Sequence, residues 1–293
     1  MRAFKSLALA AVFAVSAAHA AELKIGAWNL EHLNDSDMEG CEPRIEADYA
    51  AIREQIEKSG VDLVAFQEVE NLAAARRVFP EDEWAVEISS RPETGDISEC
   101  WDWPGRYLKH LATGFAIRRG IEYSRNDDLV ELALGNSFAR WGTGITIGNG
   151  AGIRMLSIHL KTGCWSTKED GEERRAEACK TLRKQLEVLN AWIEDQWSSG
   201  RPFFILGDFN RNLAVPDDWG WNKLSSTSAG ELHLLTRGIG ARCDPRYKNF
   251  IDHLVAGPKA KERVVPGSFE ELPNEYDQPD HCLIAAKLTI SDQ

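Results

Sequence analysis

The sequence predicts an α/β or α+β chain organised around large buried sheets. Three observations carry this expectation. Apolar runs of strand length outnumber helical patterns, and two long stretches instead repeat their apolar residues at helical spacing. No internal repeat, low-complexity run or Pro/Gly/Ser-rich linker interrupts the 293 residues, so one large core over 21–293 is expected rather than several small ones.

Residues 1–20 read as a signal peptide. Arg2 and Lys5 make a basic start, 7–17 is apolar, and Ala18-His19-Ala20 fits an A-x-A cleavage site ending at Ala20. The apolar stretch is too short for a transmembrane helix and no later segment has the length, so no transmembrane segment is expected and the chain is read as periplasmic or secreted. Residues 23–28 then alternate apolar and small side chains as a first strand. An amphipathic helix over 44–59 carries Ile45, Tyr49, Ile52 and Ile56 at helical spacing, and Gly60 stops it. Residues 61–66 form a continuous apolar strand ending at Gln67-Glu68. Strand-like runs follow at 84–88, 113–117, 144–147 and 153–160, the last carrying His159. A long helix covers 172–197, with Cys179, Leu182, Leu186, Leu189 and Ile193 along one face. Strands at 203–206, 250–255 and 282–288 complete the chain.

The polar residues at these strand ends hold the functional signal. The most informative is Gly207-Asp208-Phe209-Asn210: Gly207 is expected to end the strand, and Asp208 and Asn210, two apart on an extended backbone, to face one pocket. Companion groups are Asn29-Leu30-Glu31, Gln67-Glu68, His159-Leu160-Lys161, Asp252 within an apolar run, and Asp280-His281 before the last strand. Each has a plain structural explanation alone: a turn for Asp208–Asn210 or Asp280–His281, a cap for Asn29 or Glu68, a satisfied core imidazole for His159, an arginine partner for Asp252. Their joint occurrence at six strand ends favours a site. Its carboxylates and amides suit Mg²⁺, Mn²⁺ or Ca²⁺ better than zinc, and no serine or cysteine nucleophile stands out. Hydrolysis of a phosphate ester needs charge neutralisation, an activated water and a stabilised leaving group, which such a set supplies.

Six cysteines in an exported chain predict disulfides. Cys164–Cys179 is the first expectation and Cys41–Cys100 the second; Cys243 and Cys282 either pair or remain buried thiols. The net charge of −12, or −14 without Arg2 and Lys5, disfavours broad electrostatic binding of duplex nucleic acid, leaving a local basic patch or a bound cation to do that work.

With these residues in place, the chain resembles the endonuclease/exonuclease/phosphatase superfamily, the group of pancreatic deoxyribonuclease, exonuclease III and the neutral sphingomyelinases. The resemblance spans 23–288 and rests on Trp28-Asn29-Leu30, Val64-Ala65-Phe66-Gln67-Glu68-Val69, Ser157-Ile158-His159-Leu160-Lys161, Gly207-Asp208-Phe209-Asn210 and Asp280-His281-Cys282. Asn136-Ser137-Phe138-Ala139-Arg140 is similar to a segment of the pancreatic enzymes. It implies an α/β four-layer sandwich, two packed mixed β-sheets flanked by helices, with the site at one end. By match, Glu68 binds the main divalent metal, with Asn29, Glu31 and Asp280 beside it. Asp208 orients or deprotonates the attacking water and Asn210 holds phosphate and water. His281, oriented by Asp252, is base or transition-state donor, and His159 binds phosphate or protonates the leaving oxygen. Asn29, Arg140 and Lys161 are candidate substrate contacts. The pancreatic enzymes orient their strand-borne histidine with a glutamate near the strand aligned with 109–117; this chain has His110 there and no acid, so His159 lacks an assigned partner. The glycine-arginine pattern that follows the first asparagine in abasic-site endonucleases is also missing.

The resemblance implies a metal-dependent phosphodiesterase acting on a phosphate ester, foremost nucleic acid. A phosphomonoesterase or sphingomyelinase-like lipid phosphodiesterase is the rival, for which Trp101/Trp103 and Trp219/Trp221 are candidate membrane contacts. A catalytically inactive binding module is disfavoured because every matched position keeps a competent side chain.

Overall fold

Alternation of side chains along strands divides the buried residues among three packing interfaces. In the computed structural model, which describes residues 21–149, 152–165, 175–228, 230–274 and 279–290, the elements run β1 (Ala21–Leu33), α1 (Glu46–Ser59), β2 (Leu63–Val69), α2 (Leu72–Val78), β3 (Trp84–Ile88), β4 (Ser98–Glu99), β5 (Tyr107–Leu108), β6 (Ala112–Arg118) and β7 (Tyr123–Leu129). After a 3₁₀ turn (Val130–Ala133) come β8 (Gly142–Ile147), β9 (Ile153–His159), α3 (Ala176–Ser198), β10 (Phe203–Asp208), α4 (Trp219–Leu224), β11 (His233–Leu234), β12 (Asp252–Ala256), α5 (Pro258–Lys261), β13 (Glu270–Leu272) and β14 (Leu283–Ile290). One six-stranded sheet has the order β13-β14-β1-β2-β6-β3 and a second the order β11-β12-β10-β9-β8-β7. Both are mixed, with β1–β2 and β9–β10 parallel and their other pairs antiparallel.

Leu23, Ile25 and Ala27 of β1 face the second sheet and meet Phe204, Leu206 and Met155 in the central core. The alternate residues Trp28 and Leu30, with Val64 and Phe66, pack under α1 and α2. On the far side, Leu156, Ile158 and Ile205 pack under Leu182, Leu186, Leu189 and Ile193 of α3. The four expected layers follow.

The boundaries correct several expectations. The first helix begins at Glu46, not at 44, and Ile45 is an exposed N-terminal cap, so its apolar stripe is Tyr49, Ile52 and Ile56. β2 runs through Gln67 and Glu68 instead of stopping before them. β12 starts at Asp252, which therefore opens the strand instead of lying within it. Gly207 does not end its strand either: β10 continues to Asp208. Gly207 adopts φ 131°, and a Cβ there would sit 2.2 Å from the Ile158 carbonyl, which only glycine avoids. The long helix starts at Ala176; the expected residues 172–174, like the signal-peptide residues 1–20, lie outside the described residues.

All six cysteines pair, as Cys41–Cys100, Cys164–Cys179 and Cys243–Cys282. The third closes a loop with a sequence separation of 39 and ties down the residue following His281. Replacing Cys243 and Cys282 together by serine is expected to lower unfolding stability by about 4 kcal/mol through the loop entropy restored to the unfolded chain. Urea titration without reductant measures this; a loss below about 1 kcal/mol would refute the entropic account.

Candidate active site

Topology places the polar strand ends together. β1 and β2, and β9 and β10, run parallel within their sheets, while β14 is antiparallel to β1 and β12 antiparallel to β10. The carboxyl ends of the four parallel strands and the amino ends of β12 and β14 therefore meet at one end of the sandwich. Buried bonds join the sheets there: Asn29 Nδ2 donates to Asp208 Oδ2 at 3.2 Å, Gln67 Nε2 to Ser157 Oγ at 3.1 Å, and Ser157 Oγ to the Phe66 carbonyl at 3.2 Å.

Left-handed backbone is concentrated in this region. Glu31, His32, Glu68 and Asn210 have φ of 44°, 49°, 60° and 52°, a conformation that costs non-glycine residues of order 1 kcal/mol or more. Asn210 shows what it achieves. The i, i+2 argument for an extended chain is overturned, because Asn210 has turned. Its backbone N–H donates to Asp208 Oδ1 at 2.7 Å and its Nδ2 to Asp208 Oδ2 at 3.0 Å. The turn itself brings the two polar groups into one corner, so turn and site are the same feature.

Five sets of contacts surround that corner. His281 Nδ1 bonds Asp252 Oδ2 at 2.7 Å, and the His281 carbonyl is fixed by Trp28 Nε1 at 2.8 Å and by Asn274 Nδ2 at 2.8 Å. His159 is buried with Nε2 3.4 Å from Asp208 Oδ2 and 3.5 Å from Glu68 Oε1. No separate acid orients it, and its Nδ1 has no hydrogen-bond partner among the described residues. Glu68 also accepts from Asn29 Nδ2 at 3.1 Å, and from the His32 ring and backbone N–H at 3.0 and 3.2 Å. Glu31 Oε2 accepts the Asp280 backbone N–H at 3.0 Å and lies 3.4 Å from the buried Arg44 guanidinium. Arg140 donates to the Leu160 carbonyl at 2.8 Å, the same carbonyl that receives Asn210 Nδ2. Lys161 follows on the exposed side.

The electrostatics separate these groups. Burial and the nearby Asp252 push the Asp208 carboxyl up to about 7, against the pull of His281 and the Asn210 N–H. Burial opposes the His281 imidazolium, but Asp252 outweighs it and lifts His281 well above an ordinary histidine. Burial and Arg140 hold His159 far down, so it is neutral. Burial works against the Glu68 carboxylate, yet His32, His159 and Asn29 keep it ionised well below the usual range. Burial, Asp280 and Glu42 raise Glu31 to about 7.

Asp208, Asp252 and His281 offer ligand atoms all within 4.8 Å of one another, close enough to share one ion, and Asp252 Oδ1 is buried without a partner. His32 and Arg44 escaped the sequence reading. His32 adjoins Glu31 in the chain and was within reach of a motif search. Arg44 reads in the sequence as the first residue of a helix; the structure places it ahead of the Ile45 cap, and only its complete burial reveals it. The tryptophan pairs divide: Trp219 is buried over Arg211, whereas Trp101 on the β4–β5 arm is 96% exposed.

Two packed mixed sheets flanked by helices thus gather acids, amides and histidines at one end of the sandwich. The chain belongs to the Endonuclease/Exonuclease/phosphatase family, whose sequence profile matches residues 26–292. No curated protein sequence matches it. Solved structures do, at low identity. TDP2 from Caenorhabditis elegans is 13% identical over 92% of this chain and 75% of that one, with a TM-score of 0.60. The human Nocturnin catalytic domain with bound sulfate is 15% identical over 92% and 94%, also at 0.60. An AP endonuclease from Archaeoglobus fulgidus is 14% identical over 92% and 100%, at 0.58. These likenesses establish the shared fold.

Proposed function

We propose that the protein is a divalent-metal-dependent phosphodiester hydrolase of the pancreatic deoxyribonuclease-like type, an exported nuclease released after Ala20 as a single domain over 21–293. The observation that carries this reading is the Asp208–Asn210 corner lying against a hydrogen-bonded His281–Asp252 pair and a neutral buried His159. The three disulfides suit an oxidising compartment, and no helix among the described residues is long and apolar enough to cross a membrane.

Each group has a role fitted to its protonation. Asp208, poised near neutrality, takes the proton of the attacking water, and Asn210 holds that water and the phosphate. His281 carries its proton at neutral pH and donates to the oxygen that gains charge in the transition state, with Asp252 fixing the ring. Neutral His159 donates a hydrogen bond to phosphate, assisted by Arg140 and Lys161. Asn29 holds Glu68 and Asp208 in register. The oxygen donors Glu68, Glu31 and Asp280 suit a hard cation such as Mg²⁺, Mn²⁺ or Ca²⁺, and such an ion would offset the Asp280 and Glu42 charges that add to burial in raising Glu31. Once bound, the ion would neutralise charge on the phosphate oxygens.

Mg²⁺- or Mn²⁺-dependent cleavage of plasmid DNA and of bis-p-nitrophenyl phosphate is expected, abolished by EDTA. Turnover of monoesters with no diester cleaved overturns the nuclease reading. The exposed Trp101 supports a lipid phosphodiesterase as the second reading, which much faster turnover of sphingomyelin vesicles than of DNA would establish.

A further inference from the structure

Beside Arg140 lies a cavity of about 370 Å³, of whose lining the chemistry above uses only Arg140 and Lys161. One wall is a single face of α3, where Glu177, Lys180, Thr181 and Lys184 recur at i, i+3, i+4 and i+7. The opposite wall holds Arg140 and Lys161. Four cations thus face one hollow in a chain of net charge −12, and the single carboxylate lining it among the described residues, Glu177, is exposed and 3.6 Å from Lys180. Among the described residues no ion pair engages Arg140, Lys161 or Lys184, and the Arg140 Nε is buried without a hydrogen-bond partner. Exposed helix lysines usually are simply solvated. Here they converge on a concavity, and Arg140 links it to the catalytic corner through the Leu160 carbonyl that Asn210 also contacts. Cations left unneutralised around a hollow are arranged for an anion that arrives with the substrate.

We propose that this cavity is a subsite for a second phosphate of the substrate, carried on the same nucleic-acid strand as the scissile diester. The inference rests on the phosphodiesterase reading and adds to it a requirement for a polyanionic chain. It reconciles an acidic protein with a nucleic-acid substrate, because the basic patch is local and lies next to the site.

The test compares kcat/KM for the dinucleotide dTpdT with the same compound bearing an added 5′-phosphate or 3′-phosphate, in saturating Mg²⁺. One of the two additions is expected to raise kcat/KM at least about tenfold, the strength of a charge-assisted phosphate contact. Lys184→Ala with Lys180→Ala is expected to shrink that gain to less than about threefold, and Lys184→Glu to reverse it. A wild-type enzyme that cleaves dTpdT but gains nothing from either phosphate overturns the subsite and leaves the diesterase standing. A gain that survives all the lysine substitutions also overturns it. If no diester is cleaved at all, the diesterase reading falls and the subsite falls with it.

Discussion

His281→Ala is expected to lower kcat by about 10³- to 10⁴-fold while KM stays within about threefold, because the imidazolium acts on charge that exists only in the transition state. Asp252→Asn keeps a hydrogen bond to the ring but removes the charge that stabilises its proton, and a fall of about 10²- to 10³-fold is expected. The pH profile separates this role from mere support. In the wild type, activity rises as Asp208 loses its proton near 7 and falls at higher pH as His281 loses its own. Asp252 lifts both groups, by repelling the Asp208 anion and attracting the His281 cation. Its neutralisation therefore moves both limbs of the kcat profile toward acid, as macroscopic values of a coupled set. A structural role alone would lower the profile without moving it. Because the His281 backbone is held by Trp28 and Asn274 independently of the ring, His281→Gln is a second variant expected to fold. Retention of more than about a tenth of kcat by either His281 variant would refute the assignment.

What could be read from the sequence follows a physical divide. Buried apolar strands and the long α3 announce themselves because burial on both faces forces continuous or periodic apolar residues. β7 was invisible for the opposite reason: Tyr123–Leu129 is an edge strand of mostly polar, half-buried residues. α2 is only seven residues long, and the Asn71 side chain that accepts the Ala74 N–H is its clearest signal. The site residues were legible as types at strand ends. Apart from His281 with Asp252, which the resemblance implied, their pairings were not, since most join positions far apart in sequence, such as Asn29 with Asp208 and His159 with Glu68. His159 illustrates the limit. A search for one dedicated acid finds none, because the ring shares two carboxylates already committed to the centre. Likewise the Asp208–Asn210 geometry depends on a left-handed residue that strand periodicity cannot foresee.

Two separate sets of side chains compete for the cation, and metal affinity decides between them. If Glu68, Glu31 and Asp280 hold it, Glu68→Gln is expected to weaken Mn²⁺ binding at least about tenfold and cut turnover by about 10³, whereas Asp252→Asn leaves the Mn²⁺ Kd within about threefold. The pH dependence follows from the two glutamates. Glu68 remains an anion well below neutrality, so its protonation does not compete with the metal in the working range. Glu31, raised to about 7, is protonated on the acid side and must release that proton when metal binds. Affinity is therefore expected to be flat above pH 8 and to fall below pH 7 by about tenfold per unit, with about one proton released per ion, measured by calorimetry in buffers of different ionisation enthalpy. Glu31→Gln removes the slope and binds at all pH values as weakly as the protonated wild type. The trio of Asp208, Asp252 and His281 makes the contrary demand. His281 carries a proton there and Asp252 is engaged with it, so a metal must displace the ring proton. Binding would then strengthen up to much higher pH, Asp252→Asn would abolish it and Glu68→Gln would leave it intact. Distance and bonding pull in opposite directions: among the described residues only Asp208, Asp252 and His281 bring ligand atoms within 4.8 Å of one another, yet the 2.7 Å bond already commits His281 Nδ1 to Asp252.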